Sequence, residues 1–143
     1  MKDIEIAKDI FQREDMAIVV VKNGKEVFKS KDRGIKPIYI LAKEMKEEAF
    51  GASIADKVIG KGAALICGYL GIKEVHASLM SKEGEIILNK YNIPYTMDKS
   101  CPYIMNRDKN DYCPIEKLSM GIEEPEVFLS RVEEFFASIK NME

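Results

Sequence analysis

A three-layer α/β/α sandwich around a mixed sheet is the fold class this sequence predicts, and three features predict it. An Asn23-Gly24 turn between a β-branched run and an alternating run reads as a β-hairpin, hence as antiparallel pairing. Farther on, strand-like and helix-like patterns alternate, which indicates parallel strands joined by helices. Lastly, 143 residues, 46% apolar and 32% charged and evenly mixed, suffice for one core and not for two catalytic domains. Residues 1–143 therefore read as a single domain, with an N-terminal helix at about 3–12 and the core at about 16–140.

Ile4, Ala7, Ile10 and Phe11 fall on one helical face, with Asp3 placed to cap that helix. Residues 17–21 and 25–29 are the hairpin strands, and Asp32-Arg33-Gly34 ends the second. Pro37 suits a first helical turn, followed by Ile38, Leu41, Ala42 and Met45 on one face and by solvated lysines and glutamates, with an end near Phe50-Gly51. A second helix is predicted over residues 53–70. Ser53 and Asp56 have capping-box spacing, Gly71 is a C-terminal stop, and apolar residues surround most of the segment, so it should be central. Residues 74–79 form a short strand. Ser81 then caps a helix that turns Ile86, Ile87 and Leu88 inward, and residues 93–97 make the next strand. Residues 98–112 read as a polar loop with a brief extended piece at 103–105. Pro114 opens a short helix and Pro125 the last one, whose Val127, Phe128, Val132, Phe135 and Phe136 should dock on the sheet.

Charge and composition remove several function classes. With 22 Lys plus Arg against 24 Asp plus Glu, there is no basic excess to neutralise a phosphate backbone, so nucleic acid is not an expected partner. No apolar run approaches the roughly 20 residues that span a bilayer, and Met1-Lys2-Asp3 leads into a charged helix, so a cytoplasmic protein without a membrane partner is expected. One histidine and three cysteines are too few for a dense metal framework or a disulfide scaffold.

Gly60-Lys61-Gly62 fails the phosphate-loop pattern, because its preceding glycine is Gly51 and no Ser or Thr follows Lys61; the glycines are expected to allow close packing. Lys57 and Lys61 stand four apart, which on a helix is either a pair of snorkelling rim lysines or an anion-facing pair beside Asp56. Cys113 precedes the helix opened by Pro114, where backbone N–H groups favour a thiolate. Glu116 falls on that helix's third position, as a cap or as an acid–base partner, with Arg107 nearby as an ion partner. His76, alone on a predicted strand, reads as structural. A zinc site from Cys67, His76, Cys101 and Cys113 would take each ligand from a different element, and a Cys101–Cys113 disulfide runs against a reducing compartment; neither is expected.

The element order, together with Asp56-Lys57-Val58-Ile59-Gly60-Lys61, Asn106-Arg107 and Cys113-Pro114-Ile115-Glu116, resembles the prokaryotic DUF1893 family over about residues 16–136. That resemblance implies a cytidine deaminase-like fold. Active members of the larger superfamily hold zinc through a His or Cys two residues before a proton-shuttling Glu at one helix start, and through two cysteines three apart at another. Here the corresponding stretches are Lys61-Gly62-Ala63 and Met80-Ser81-Lys82-Glu83-Gly84, with Ala63 in the shuttle's place and Ser81 and Gly84 in the cysteines'. The resemblance thus implies the scaffold without its zinc chemistry, with no metal and no cofactor. It also implies a cleft lined by Asp56, Lys57, Lys61 and Ser81, over which a loop brings Asn106, Arg107, Cys113 and Glu116. The expected function is binding of a small anionic or nucleotide-like ligand: Lys57, Lys61 and Arg107 meet the anion, and Asp56 and Asn106 orient it. The alternatives are an enzyme that uses Cys113 and Glu116 in thiol or atypical deaminase chemistry, and a regulatory or structural subunit that contacts a partner through Phe128 or Phe135. A homo-oligomer stays open.

Overall fold

The computed structural model describes residues 1–106 and 108–142, the last two by backbone only. The first helix, α1 (Asp3–Arg13), leads into the hairpin β1 (Ile18–Lys22) and β2 (Lys25–Ser30). Next come α2 (Lys36–Glu44), a single turn α3 (Lys46–Ala49), β3 (Ser53–Ile59), α4 (Lys61–Leu70), β4 (Glu74–Ser81), α5 (Lys82–Lys90) and β5 (Tyr95–Cys101). Two helices close the chain, α6 (Pro114–Ser119) and α7 (Pro125–Met142). The strands form one mixed sheet in the order β2-β1-β3-β4-β5, in which β1 is antiparallel to both neighbours and β3, β4 and β5 run parallel.

The sheet's two faces carry different layers. Val19, Val21 and Ala55 face α1 and pack on Ala7 and Phe11. Ile18, Val20, Ile54, Val75 and Ala77 face the other way, into the larger core built with α2, α4, α5 and α7. α4 is central to that layer and touches α2, α5, α6 and α7. It approaches α7 closely because Gly62 has no side chain; a Cβ there would overlap the Phe128 ring. The three-layer α/β architecture with a hairpin at its start is the one the sequence predicts. Among the described residues, no helix is long and apolar enough to cross a membrane.

The hairpin turns at Asn23 and Gly24, both with positive φ, 53° and 79°, as its two-residue loop requires. Asp3 does not cap α1, whose N-cap is Lys2. Its carboxylate accepts the N–H groups of Asn23 and Gly24 at 2.9 and 2.8 Å, tying the helix start to the hairpin turn. Asp3→Ala is expected to cost about 1 kcal/mol, the usual worth of charge-assisted but exposed bonds, read as a lower urea midpoint. An unchanged midpoint would show that the tie contributes nothing.

Four expectations need correction. The predicted helix over 53–70 is a strand, β3, followed by α4, so Ser53 and Asp56 form no capping box. β3 lies between β1 and β4 with both faces covered, and Ser53, Ile54 and Ala55 are all buried, so the strand has no alternation to betray it. The helix expected from Pro37 breaks at Met45, whose φ of −133° leaves helical geometry. The strand expected at 93–97 begins at Tyr95 and continues to Cys101, because Lys99, Ser100 and Cys101 pair with β4 although their side chains give no apolar signal. Finally, Ile86 and Val127 point outward, 57% and 45% exposed, while Phe128 is fully buried.

Candidate functional site

At the C-terminal end of β3 the chain crosses from strand to α4 through Gly60. A cleft of about 240 Å³ opens beside it, on the sheet face opposite α1. Ile18, Ile35, Ile38, Val58 and Ala63 supply apolar walls from β1, α2, β3 and α4. Ile104, Cys113, Ile115 and Glu116 arrive from the strap between β5 and α7. This strap is ordered by a small ribbon in which Met105 bridges Tyr112 and the Cys113 N–H donates to the Ile104 carbonyl.

Three carboxyl groups line the cleft, those of Asp32, Asp56 and Glu116, and the last two are perturbed by burial. Asp56 shares its sheet face with Ile18, its directly paired neighbour on β1. Burial pushes its carboxyl up to about 7, although the Val58 N–H, which donates to it at 3.1 Å, and the nearby Lys57 N–H pull the other way. Glu116 does not cap its own helix, as its spacing suggests. It reaches across to the start of α4, where its carboxylate lies against Gly60, close to the Lys61 and Gly62 N–H groups, which have no partner within the helix. Burial raises its pKa, while those N–H groups and the Lys61 charge act to lower it. Gly60 makes the contact feasible, since a Cβ at that position would overlap the Glu116 carboxylate.

The other candidates are dispersed. Lys57 and Lys61 share no helix face, because one lies on β3 and the other on α4. The Lys57 ammonium pairs with Asp15 at 3.5 Å, and the buried Lys61 extends to Glu123 at 3.6 Å. Ser81 caps α5, its Oγ accepting the Gly84 N–H at 3.0 Å, and is fully buried there. Asn106 is used up in its own loop, where its side chain exchanges bonds with Asn110. Arg107 lies outside the described residues. Among the described candidates, Asp56, Lys57, Cys113 and Glu116 are thus the ones that border one cleft. All three cysteines are free thiols, with Cys67 buried in α4 and its thiol pKa raised by that burial.

A family model described as Domain of unknown function (DUF1893) matches residues 6–136. The chain belongs to the DUF1893 family. A crystal structure of a DUF1893 family protein from Thermotoga maritima is similar over 94% of this chain and 90% of that one, with 29% identity and a TM-score of 0.84. A dCMP deaminase from the cyanophage S-TIM5, in apo form, gives a TM-score of 0.47 at 15% identity, covering 66% of this chain and 93% of that one. No curated protein matches the chain.

The DUF1893 chain does not fit the zinc that the deaminase resemblance would imply. At the start of α4 the Glu116 carboxylate already occupies the space beside Gly60, and Lys61, Gly62 and Ala63 offer no metal ligand. At the start of α5, Ser81 is engaged in capping and Gly84 has no side chain; a Cβ at Gly84 would stand 2.8 Å from the Ile59 carbonyl oxygen. Among the described residues, no three His, Cys, Asp or Glu side chains are grouped to hold a metal ion. The DUF1893 cleft also has lining residues that the sequence reading passed over. Asp32 and Arg33 read only as the end of a hairpin, and Ile35, Ile38 and Ile104 carry no local mark of a cleft wall.

Proposed function

We propose that the cleft binds a small, largely apolar ligand that presents N–H donors, or a cationic nitrogen, to Asp56. The observation that carries this reading is a buried carboxyl, its pKa pushed up to about 7 by burial, on the wall of a cleft of ligand size with mainly apolar walls. The anion expected from the sequence has less support. The Glu116 carboxylate already lies at the α4 start that would receive it, and the two lysines expected to meet it are paired elsewhere. A nucleotide-like ligand stays within the reading if its base faces Asp56 and its charged end faces solvent.

A thermal-shift screen tests it, setting nucleobases, nucleosides and small amines against inorganic phosphate and sugar phosphates. A ligand at about one hundred times its Kd adds about 2.7 kcal/mol of stability, a shift of several degrees. N–H-bearing ligands are expected to give that shift in the parent and to lose it in Asp56→Ala. Stabilisation by phosphates alone would overturn the reading.

A second reading, proton transfer to or from a bound ligand, is favoured by the same near-neutral Asp56. Cys113 borders the cleft as well. If its thiol reacts with ligand, iodoacetamide should alkylate Cys113 rapidly at neutral pH and bound ligand should protect it. The subunit reading loses one of its two contact residues, because Phe128 is fully buried, while Phe135 stays half-buried.

A further inference from the structure

On the sheet face opposite the cleft, α1 packs over β1, β3 and β4, and the edge strand β5 leaves Thr96 and Asp98 exposed. His76 of β4 lies directly beside them, paired with Thr96 and only 2% exposed. Its Nδ1 is 2.6 Å from Thr96 Oγ1, and its Nε2 is 3.5 Å from Asp98 Oδ1 with no hydrogen bond of ordinary length.

The tautomer follows from the neighbours. With the proton on Nδ1, a buried Nε2 lone pair would face a carboxylate, which is repulsive. With the proton on Nε2, the N–H has the Asp98 carboxylate 3.5 Å away, and Nδ1 is free to accept the Thr96 hydroxyl at 2.6 Å. The second arrangement gives a hydroxyl on an exposed residue bonded to a base, with an acid 3.5 Å from the base's other nitrogen, which is the order of groups in a nucleophile triad in whatever chain order they occur. Burial, then the field of Lys8 from α1, lower the imidazole pKa and favour the neutral base, while Asp98 acts to raise it.

We propose that Thr96 is a nucleophile toward activated acyl donors such as esters, with His76 as its base and Asp98 as the positioning residue. Thr96 Oγ1 bonds to the acyl carbonyl carbon while its proton passes to His76 Nδ1. The tetrahedral adduct collapses, the bond to the leaving alcohol breaks, and His76 returns the proton to that oxygen. The product is an acyl ester on Thr96, which water releases by the same proton path. This site shares no residue with the cleft, so its failure leaves the cleft reading untouched.

The full chain mixed with 4-nitrophenyl acetate tests it through nitrophenolate release and peptide mapping of the acetyl group. The expected result is a burst of about one equivalent per chain, with the acetyl on Thr96. Thr96→Val, a β-branched isostere at an exposed strand position, should fold as the parent does and cut the burst at least about tenfold. Asp98→Asn should move the pH midpoint of acylation downward, because it removes the carboxylate that opposes Lys8 and burial at the imidazole. Acetylation confined to lysines or cysteines, a burst unchanged in Thr96→Val, or a midpoint unmoved in Asp98→Asn would overturn the proposal.

Discussion

Asp56→Asn will melt several degrees above the parent at pH 8 and within a degree or so of it at pH 4. The Asp56 carboxyl lies against Ile18 in the larger core, and burial raises its pKa from 3.8 to about 7. A carboxyl whose pKa is higher folded than unfolded contributes stability that is complete below the unfolded value and is lost as pH rises through the folded one. The loss for this group therefore runs from about pH 4 to about pH 7 and is constant above. Its size is on the order of 2–4 kcal/mol after discounting for the open side of the cleft, or about 5–15 °C for a chain of this length. Asparagine keeps an oxygen to accept the Val58 N–H and never carries the charge. Scanning fluorimetry of both proteins at pH 4, 6 and 8 checks the sign. Parallel profiles would show that Asp56 titrates as an ordinary surface acid. A side chain retained at such a cost to stability is the kind expected at a functional site, which connects this prediction to the ligand screen.

The second large effect belongs to Gly60→Val, expected to lower stability by about 3–5 kcal/mol in urea titration. Gly60 is extended, with φ −99° and ψ −167°, so valine suits its backbone and the cost is not conformational. The new side chain takes the space of the Glu116 carboxylate. It pushes a buried acid away from the Lys61 and Gly62 N–H groups at the α4 start. Glu116→Gln keeps an acceptor for those donors and should cost far less than Glu116→Ala. Once Glu116 is truncated, the valine has room, so the Gly60→Val/Glu116→Ala double variant should cost clearly less than the sum of its singles. Additive costs would mean that the contact between α4 and α6 is incidental. Because α6 carries part of the cleft's roof, the single variants should also weaken any ligand-induced shift.

Local chemistry made much of the fold legible. The Asn23-Gly24 turn, Pro114 and Pro125 at the openings of α6 and α7, Ser81 at the cap of α5 and Gly71 after α4 each act through their own backbone, within a few residues. β3 was hidden for the opposite reason. Ile54 and Val58, and Ala55 and Ile59, recur at helical spacing, and only neighbours from β1 and β4 on either side select the extended form. The polar end of β5 shows the same dependence, since backbone pairing with β4 recruits it without any apolar side chain.

The candidate site divides along the same line. The residues of the Asp56 and Cys113 segments were marked by type and by the family resemblance, and Asp56, Lys57, Cys113 and Glu116 do border one cleft. Their roles were assigned by the assembled structure. Moving Asp56 and Lys57 from a helix to a strand turns their side chains to opposite sides of the sheet, so both residues border the cleft but the lysine's ammonium pairs with Asp15. Glu116, three residues into its own helix by spacing, lies against the start of a different helix because α6 packs on α4. The sequence alone determined the layer order, the hairpin, most helix ends and the scarcity of metal ligands, all properties of short-range backbone preference and residue type. Which charges are buried, which are paired and which face the cleft depends on contacts between segments dozens of residues apart, and these exist only once the sheet has closed.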